Sequence, residues 1–348
     1  MRRVRAWLRI AMATSGMDRD LIGRVLREAG LIGKGVEPEL EQLAGGVSSD
    51  IWKVKAGEHA YCVKQALAWL KVEAEWHAPV ERNRFEVGWY RIANRVVPGS
   101  APRVLYHDPE RMFLIMDYLD PRRYDLWKDK LREGRADERD ARTVGRILSR
   151  IHSTTAGDRD IAAQFPRFDI FHAIRLEPYL LATAARHPDL AARLEELCRT
   201  TADTRLTMIH GDVSPKNILI GSDGPVFLDA ECACIGDPAF DIAFCLNHML
   251  LKCLWRPPSM PGYLACFDAM SEAYLSGVDW EEAGSLESRA AGLLPALFLA
   301  RVDGKSPVEY IDKDSSREKV RRCARRLIEA GPSRLETIRL AWQEELQS

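Results

Sequence analysis

The segment His210-Gly211-Asp212, with Asn217 five residues past the aspartate and Asp229-Ala230-Glu231 closing the next apolar run, constrains this chain more than any other feature. Leu206 to Ile209 is apolar and branched and reads as a strand, while Asp212 to Lys216 is polar and holds Pro215. Ile218-Leu219-Ile220 and Val226-Phe227-Leu228 flank Gly221-Ser222-Asp223-Gly224-Pro225 as the arms of a hairpin. If Ile220 pairs with Val226 across that five-residue turn, antiparallel register sets Asn217 opposite Asp229 on one face, with Cβ atoms roughly 5 Å apart. Two oxygen ligands then converge, and such a pair suits a hard divalent cation such as Mg2+, which keeps its other positions for water and phosphate. Asp212, upstream on the loop, is placed to accept a proton from an attacking hydroxyl. One base beside two metal ligands is the minimal equipment of phosphoryl transfer, where positioning and charge neutralisation supply most of the rate. Each of these residues alone is common in turns; the combination at this spacing favours chemistry.

Together His210-Gly211-Asp212, Asn217 and Asp229-Ala230-Glu231 resemble the catalytic segment of the aminoglycoside phosphotransferase and choline kinase family, whose members share the protein-kinase-like fold. The resemblance runs from Glu37 to Gly331. It implies an α+β, bilobal chain: a tail and short helix at 1–35, a small antiparallel β-rich nucleotide-binding N-lobe with its hinge at 36–119, and a larger, mainly helical C-lobe at 120–348. The cofactors implied are ATP or GTP and Mg2+, and the partner is a small-molecule hydroxyl acceptor. On this resemblance Asp212 is the base, Asn217 and Asp229 hold the metal, and Lys64 contacts the α and β phosphates under the grip of a glutamate, with Glu86 as the choice and Glu81 as competitor. Backbone groups of Asp117 to Leu119 meet the adenine, Asp241 hydrogen-bonds the catalytic loop, Glu231 orients a metal-bound water, and His210 supports the site.

Several of these positions also have a reading from the residues themselves. Asp18 to Gly30 has the spacing of a short amphipathic helix ended by glycine. Ile51 to Lys55 and Ala60 to Lys64 form a hairpin about Gly57, and the strand ending at Lys64 turns that cation to the same side as Cys62. Gly45, Gly46, Ser48 and Ser49 let backbone approach a ligand and add free amides and hydroxyls over a nucleotide's phosphates, although the same letters make an ordinary turn. Phe113 to Leu119 is an apolar strand and its exit. Val144, Ile147, Leu148 and Ile151 mark a helix with one buried stripe, ending in His152 as a core or capping histidine, and Phe171–Arg186 and Asp189–Thr200 extend the helical part. Asp237 caps a helix with Pro238 at its first position and Asp241 in its first turn.

Composition narrows the alternatives. With 348 residues, 46% hydrophobic and 29% charged, the chain can bury a large core. A net charge of −1 offers no basic field for nucleic acid, and the longest apolar run, Ala290 to Ala300, is too short for a membrane span and carries Pro295. The eight scattered cysteines fit reduced thiols in a cytoplasmic protein better than a disulfide framework, and Cys232, Cys234, Cys245 and His248 match no structural zinc spacing. Arg2, Arg3, Arg5 and Arg9 precede the first acid at Asp18, which reads as a loose tail or an early start. Oligomeric state has no signature. Few residues separate Asp229 from the next helix, and Gly211 stands where a protein kinase has arginine, so a small acceptor is favoured over a protein Ser/Thr kinase. A catalytically inactive nucleotide-binding regulator is disfavoured by the intact Asp212, Asn217 and Asp229. For an aminoglycoside acceptor, Asp303, Glu309, Asp312 and Asp314 are the acids available.

Overall fold

The computed structural model describes residues 19–43, 49–67 and 79–348. Alternating apolar and polar residues make β2 (Ser49–Ala56) and β3 (His59–Ala66), which pair antiparallel with Ala56 opposite His59. Gly57, at φ +61°, supplies the left-handed residue that lets so short a turn follow the strand twist. With β1 (Glu39–Gln42), β4 (Val104–Asp108) and β5 (Phe113–Asp117) they form a five-stranded antiparallel sheet in the order β1-β2-β3-β5-β4.

The period of two divides this sheet between two cores. Trp52, Val54, Tyr61, Val63, Phe113 and Ile115 pack with Ile22, Val25 and Leu26 of helix α1 (Arg19–Glu28). Cys62, Leu114 and Met116 face the other way, into the main core with α2 (Arg82–Val96). Lys64 shares the Cys62 parity and is therefore carried toward the rest of the molecule.

After a short strand β6 (Tyr124–Leu126) and α3 (Trp127–Arg132), the chain is mainly helical. Helix α4 (Glu138–Thr155) starts on Asp137, whose side chain accepts from the Arg139 amide. The expected helix at Phe171–Arg186 begins instead with a π-helix, His172–Leu181, containing Pro178, and becomes α-helical only at Ala182–Arg186. Helix α5 (Ala191–Asp203) follows. At the centre runs α6 (Pro238–Trp255), capped by Asp237 and buried from Pro238 to Cys253, between α7 (Met260–Leu275) and α8 (Ala283–Asp303). Helices α9 (Asp314–Ala330) and α10 (Leu335–Gln347) close the core, where the Trp342 indole donates to the Leu250 carbonyl. Among the described residues no helix is long and apolar enough to cross a membrane.

Between helices lie strand β7 (Thr207–Ile209), a 3₁₀ turn at Pro215–Asn217, β8 (Ile218–Gly221), β9 (Gly224–Phe227) and β10 (Cys234–Gly236). The hairpin is tighter than the sequence suggested. Gly221 pairs with Gly224 and Ile220 with Pro225, so Ser222 and Asp223 alone form the turn, and the Leu228 amide donates to the Asn217 carbonyl at 2.8 Å. Asn217 therefore stands opposite Leu228 and not opposite Asp229. The shorter turn is tolerated because β9 is an edge strand, where Pro225 need not donate.

Candidate active site

A one-residue slip in register turns a side chain to the opposite face of a regular strand. Asp229 escapes that fate by leaving the strand: its φ is +64°, a left-handed conformation that costs a non-glycine residue on the order of 1–3 kcal/mol and is tolerated chiefly where function requires it. The bend delivers the Asp229 carboxylate to Lys64, whose Nζ lies 2.5 Å from Oδ1. The same Nζ lies 2.7 Å from Glu86 Oε1, so one cation joins β3, α2 and the end of the β8–β9 hairpin. Glu81 sits at the N-cap of α2, and Lys64 pairs with Glu86 in its stead.

Charge states follow from these contacts. Burial alone would lower the Lys64 pKa, but Asp229, Glu86 and Glu231 outweigh it and raise it. Burial would lift Asp229, but Lys64 and Lys216 hold it well below the usual carboxylate range. Glu86 moves the other way although it shares the lysine. It is the more deeply buried of the two, at 1% side-chain exposure against 30%, and burial together with the Asp229 charge outweighs Lys64. Asp229 is therefore the carboxylate firmly ionised at neutral pH.

Asp212 is almost fully buried and is bracketed by cations. Arg175 Nη2 lies 2.8 Å and Lys216 Nζ 3.1 Å from its Oδ2, and the Asn217 amide donates to the same oxygen at 2.7 Å. Burial would raise this carboxyl, but Arg175 and Lys216 prevail and hold it below its ordinary value, in the form able to accept a proton. The Asn217 nitrogen is thus committed to Asp212. Its Oδ1 and the Oδ2 of Asp229 accept no hydrogen bond from any described residue.

The loop holding Asp212 is shaped by Asp241, whose two carboxylate oxygens accept from the backbone amides of His210 (2.7 Å) and Gly211 (2.8 Å). His152 lies 3.3 Å from Asp241 and 2.8 Å from the Tyr274 hydroxyl, fully buried between them. His210 accepts at Nδ1 from the Asp212 amide (3.2 Å) and lies 3.1 Å from the Leu228 carbonyl at Nε2, which fixes the neutral Nε2–H tautomer. Burial lowers its pKa in agreement. Gly211 has φ +75°, and a Cβ there would stand 2.8 Å from the Cys232 Cβ. Gly211→Ala is therefore expected to cost more than about 1 kcal/mol, from the left-handed backbone and the contact together. Urea denaturation checks this, and an unchanged midpoint refutes it.

Other expected contributors are placed differently. Glu231 is clamped at 2.9 Å by Arg82, the first residue of α2, which also donates to the carbonyls of Pro79 and Leu67. Through Oε2 it ties α2 to the hairpin. The Asp117 amide donates to the Arg103 carbonyl and its carboxylate pairs with Arg103, whereas Leu119 makes no hydrogen bond among the described residues. Ser49 is buried with an unpartnered hydroxyl; Gly45, Gly46 and Ser48 lie outside the described residues. Of the acids considered for a polycation, Asp303 is paired with Arg321 and His187, Glu309 with Lys128, and Asp314 lies 3.5 Å from Arg317. Asp312 is exposed. All eight cysteines are free and buried, and among the described residues no group of three His, Cys, Asp or Glu side chains is arranged to hold a metal.

Sequence reasoning missed Arg82, Tyr90, Arg175 and Lys216. Tyr90 donates to Glu86 and accepts from the Asp229 amide at 2.7 Å. With Trp89, whose ring meets His210 edge-on at 4.8 Å, Arg82, Glu86 and Tyr90 line one face of α2, and their i, i+4, i+8 spacing was legible. Arg175 was hidden, because it reaches the Gly211 carbonyl (2.7 Å) and Asp212 from a π-helix, whose period the α-helical spacing does not reveal.

Known proteins resemble this chain in sequence and in fold. The description "Phosphotransferase enzyme family" matches residues 39–273. Methylthioribose kinase from Pectobacterium carotovorum is 24% identical over 253 residues, covering 65% of this chain and 62% of its own; that of Escherichia coli is 23% identical over 256 residues, covering 64% and 59%. The chain thus spans less than two thirds of the length of these curated relatives. Choline kinase from Cryptosporidium parvum superimposes with a TM-score of 0.56 at 13% identity over 90% of this chain and 97% of its own. A choline/ethanolamine kinase family protein from Mesorhizobium loti gives 0.54 at 16% over 92% and 99%. The fold is the protein-kinase-like one, with an antiparallel β-rich N-terminal part and a mainly helical remainder. With its residues 39–273 matched, the chain belongs to the phosphotransferase enzyme family.

Proposed function

We propose that this protein is a small-molecule kinase that transfers the γ-phosphate of ATP to a hydroxyl of its acceptor, with Mg2+. The observation that carries this reading is Lys64 held between Glu86 and Asp229, because it puts a fixed cation and an ionised carboxylate beside Asp212. In the step proposed, the acceptor oxygen forms a bond to the γ-phosphorus as the bond to the β-γ bridging oxygen breaks. The hydroxyl proton passes to Asp212 and ADP leaves. Lys64 steadies the phosphates. Arg175 and Lys216 keep Asp212 ionised, and Asp241 holds its loop by the two backbone amides.

The Oδ1 of Asn217 and the Oδ2 of Asp229 are uncommitted oxygens of the kind Mg2+ prefers, and they would hold it. Bound there, the ion would neutralise charge on the transferred phosphate. The methylthioribose kinases among the relatives support a hydroxylated metabolite as acceptor. The same set of groups speaks against a binding-only regulator, and the short path from Asp229 to α6 against a protein acceptor. An ADP-release screen over hydroxylated metabolites and aminoglycosides tests the reading. Turnover that stops on chelation of Mg2+ and resumes on its return is the expected result, whereas tight ATP binding with no turnover across the panel would favour the regulator.

A further inference from the structure

From Asp212 a continuous set of cations and aromatic rings leads into the helical part of the chain. Arg175, paired with Asp212, lies over the Phe244 ring at 6.0 Å, and Phe244 packs edge-on against Tyr179 at 5.3 Å and His248 at 5.6 Å. Phe244, His248 and Lys252 recur every four residues along α6 and so share one stripe. The Tyr179 hydroxyl accepts from Arg301, which also donates to Ser306. Beyond it, Tyr310 stacks on Trp255 with ring centroids 4.3 Å apart, and the Lys252 ammonium lies 4.6 Å from Trp255 and 4.9 Å from Tyr310.

This stripe has positive charge without its balance. Lys252 is 1% exposed and Arg301 8%, and among the described residues neither forms an ion pair. Lys128 pairs with Glu309, the carboxylate whose field reaches Lys252. Three further polar groups are buried and unpartnered: His248 Nε2, Arg301 Nε and the Tyr310 hydroxyl. The charges of Arg301, Lys252, Lys216 and Lys128 all act on His248, so these cations share one region, and Lys216 connects it to Asp212. Burying a cation with no counter-charge is costly: burial pushes the Lys252 pKa down to about 7, and the faces of Trp255 and Tyr310 offset only part of that cost. A cationic ligand is disfavoured twice: it would meet like charge, and Lys252 already occupies the aromatic rings that would attract it.

We propose that the acceptor is an anion, a hydroxylated carboxylate or phosphate ester, whose charged group binds at Lys252 and Arg301 with the Tyr310 hydroxyl, while its own hydroxyl meets Asp212. This deepens the kinase reading and rests on it for the role of Asp212. An anion supplies the missing counter-charge and accepts from donors that are otherwise orphaned.

Thermal shift in the presence of saturating Mg·ADP tests this with matched probes: gluconate against glucose, ribose 5-phosphate against ribose, glycerol 3-phosphate against glycerol, and streptomycin as the cationic arm. At least one anionic probe is expected to raise Tm where its neutral partner does not, and carboxylate and phosphate arms then identify the anion. Lys252→Met is expected to weaken that probe by about tenfold or more, the loss of one charge-assisted hydrogen bond, and Lys252→Arg to restore most of it. Arg301→Gln is the second variant. The proposal is overturned if no anionic probe raises Tm, if neutral partners or streptomycin do as well, or if Lys252→Met binds as wild type does. The kinase reading is scored separately by Mg2+-dependent ADP release with an acceptor and its loss in Asp212→Asn. Failure there with anion binding intact would sink that reading and leave the anion site standing.

Discussion

Asp212→Asn is expected to lower kcat by about 10²- to 10⁴-fold while the chain stays folded. Asparagine keeps the size of the side chain and still offers Arg175 and Lys216 an oxygen, and Arg175 keeps its bonds to the carbonyls of Gly211 and Ile174. What disappears is the ability to take a proton. Because Arg175 and Lys216 hold the wild-type carboxyl ionised, the base is fully available at neutral pH, and its removal should appear in kcat and leave the Mg·ATP affinity nearly unchanged. ADP release with an acceptor from the screen measures the first quantity, and titration with a nucleotide analogue the second. A variant turning over at the wild-type rate would remove Asp212 from the chemistry.

Lys64→Met is expected to cost about 3 kcal/mol of stability, because it strips the shared cation from buried Glu86 and half-buried Asp229. The effect has a pH signature. In the wild type the folded pKa of Asp229 lies below its unfolded value, so its contribution is present above about pH 4 and is lost as pH falls through the folded pKa. Without Lys64, Glu86 and Asp229 repel, and the folded pKa of Glu86, which burial already holds above its unfolded value in the wild type, rises further. The folded variant then binds more protons than the unfolded chain, so its deficit is greatest at neutral pH and shrinks as pH falls. Urea midpoints at pH 7.5 and 5.5 for both proteins should converge on acidification. Adding Glu86→Gln to Lys64→Met should recover part of the loss. Parallel midpoints would mean that the two acids do not share the lysine's field.

The sequence carried the elements whose patterns repeat locally. The period of two along Ile51–Lys55 and Tyr61–Lys64 identified the hairpin and turned Lys64 inward beside Cys62. The apolar spacing around Val144 identified α4, and Asp237-Pro238 identified the start of α6. The hairpin after Asn217 was found but misjudged by one residue. Glycine and proline mark a turn without fixing its length, and only packing of β9 as an edge strand selected the pairing of Ile220 with Pro225.

By itself the sequence determined which groups are available for the proposed phosphoryl transfer: Asp212 as its base, Asn217 and Asp229 as oxygen donors, and Lys64 as the cation. Their types and spacings are local properties of the chain. The tertiary structure decided their partners. It bent Asp229 out of its strand onto Lys64, spent Glu231 on Arg82, brought Arg175 to Asp212 through a π-helix, and left Lys252 and Arg301 buried without counter-charge. Those pairings join residues far apart in the chain, and their energy depends on burial and on the distance between charges, neither of which a linear pattern encodes.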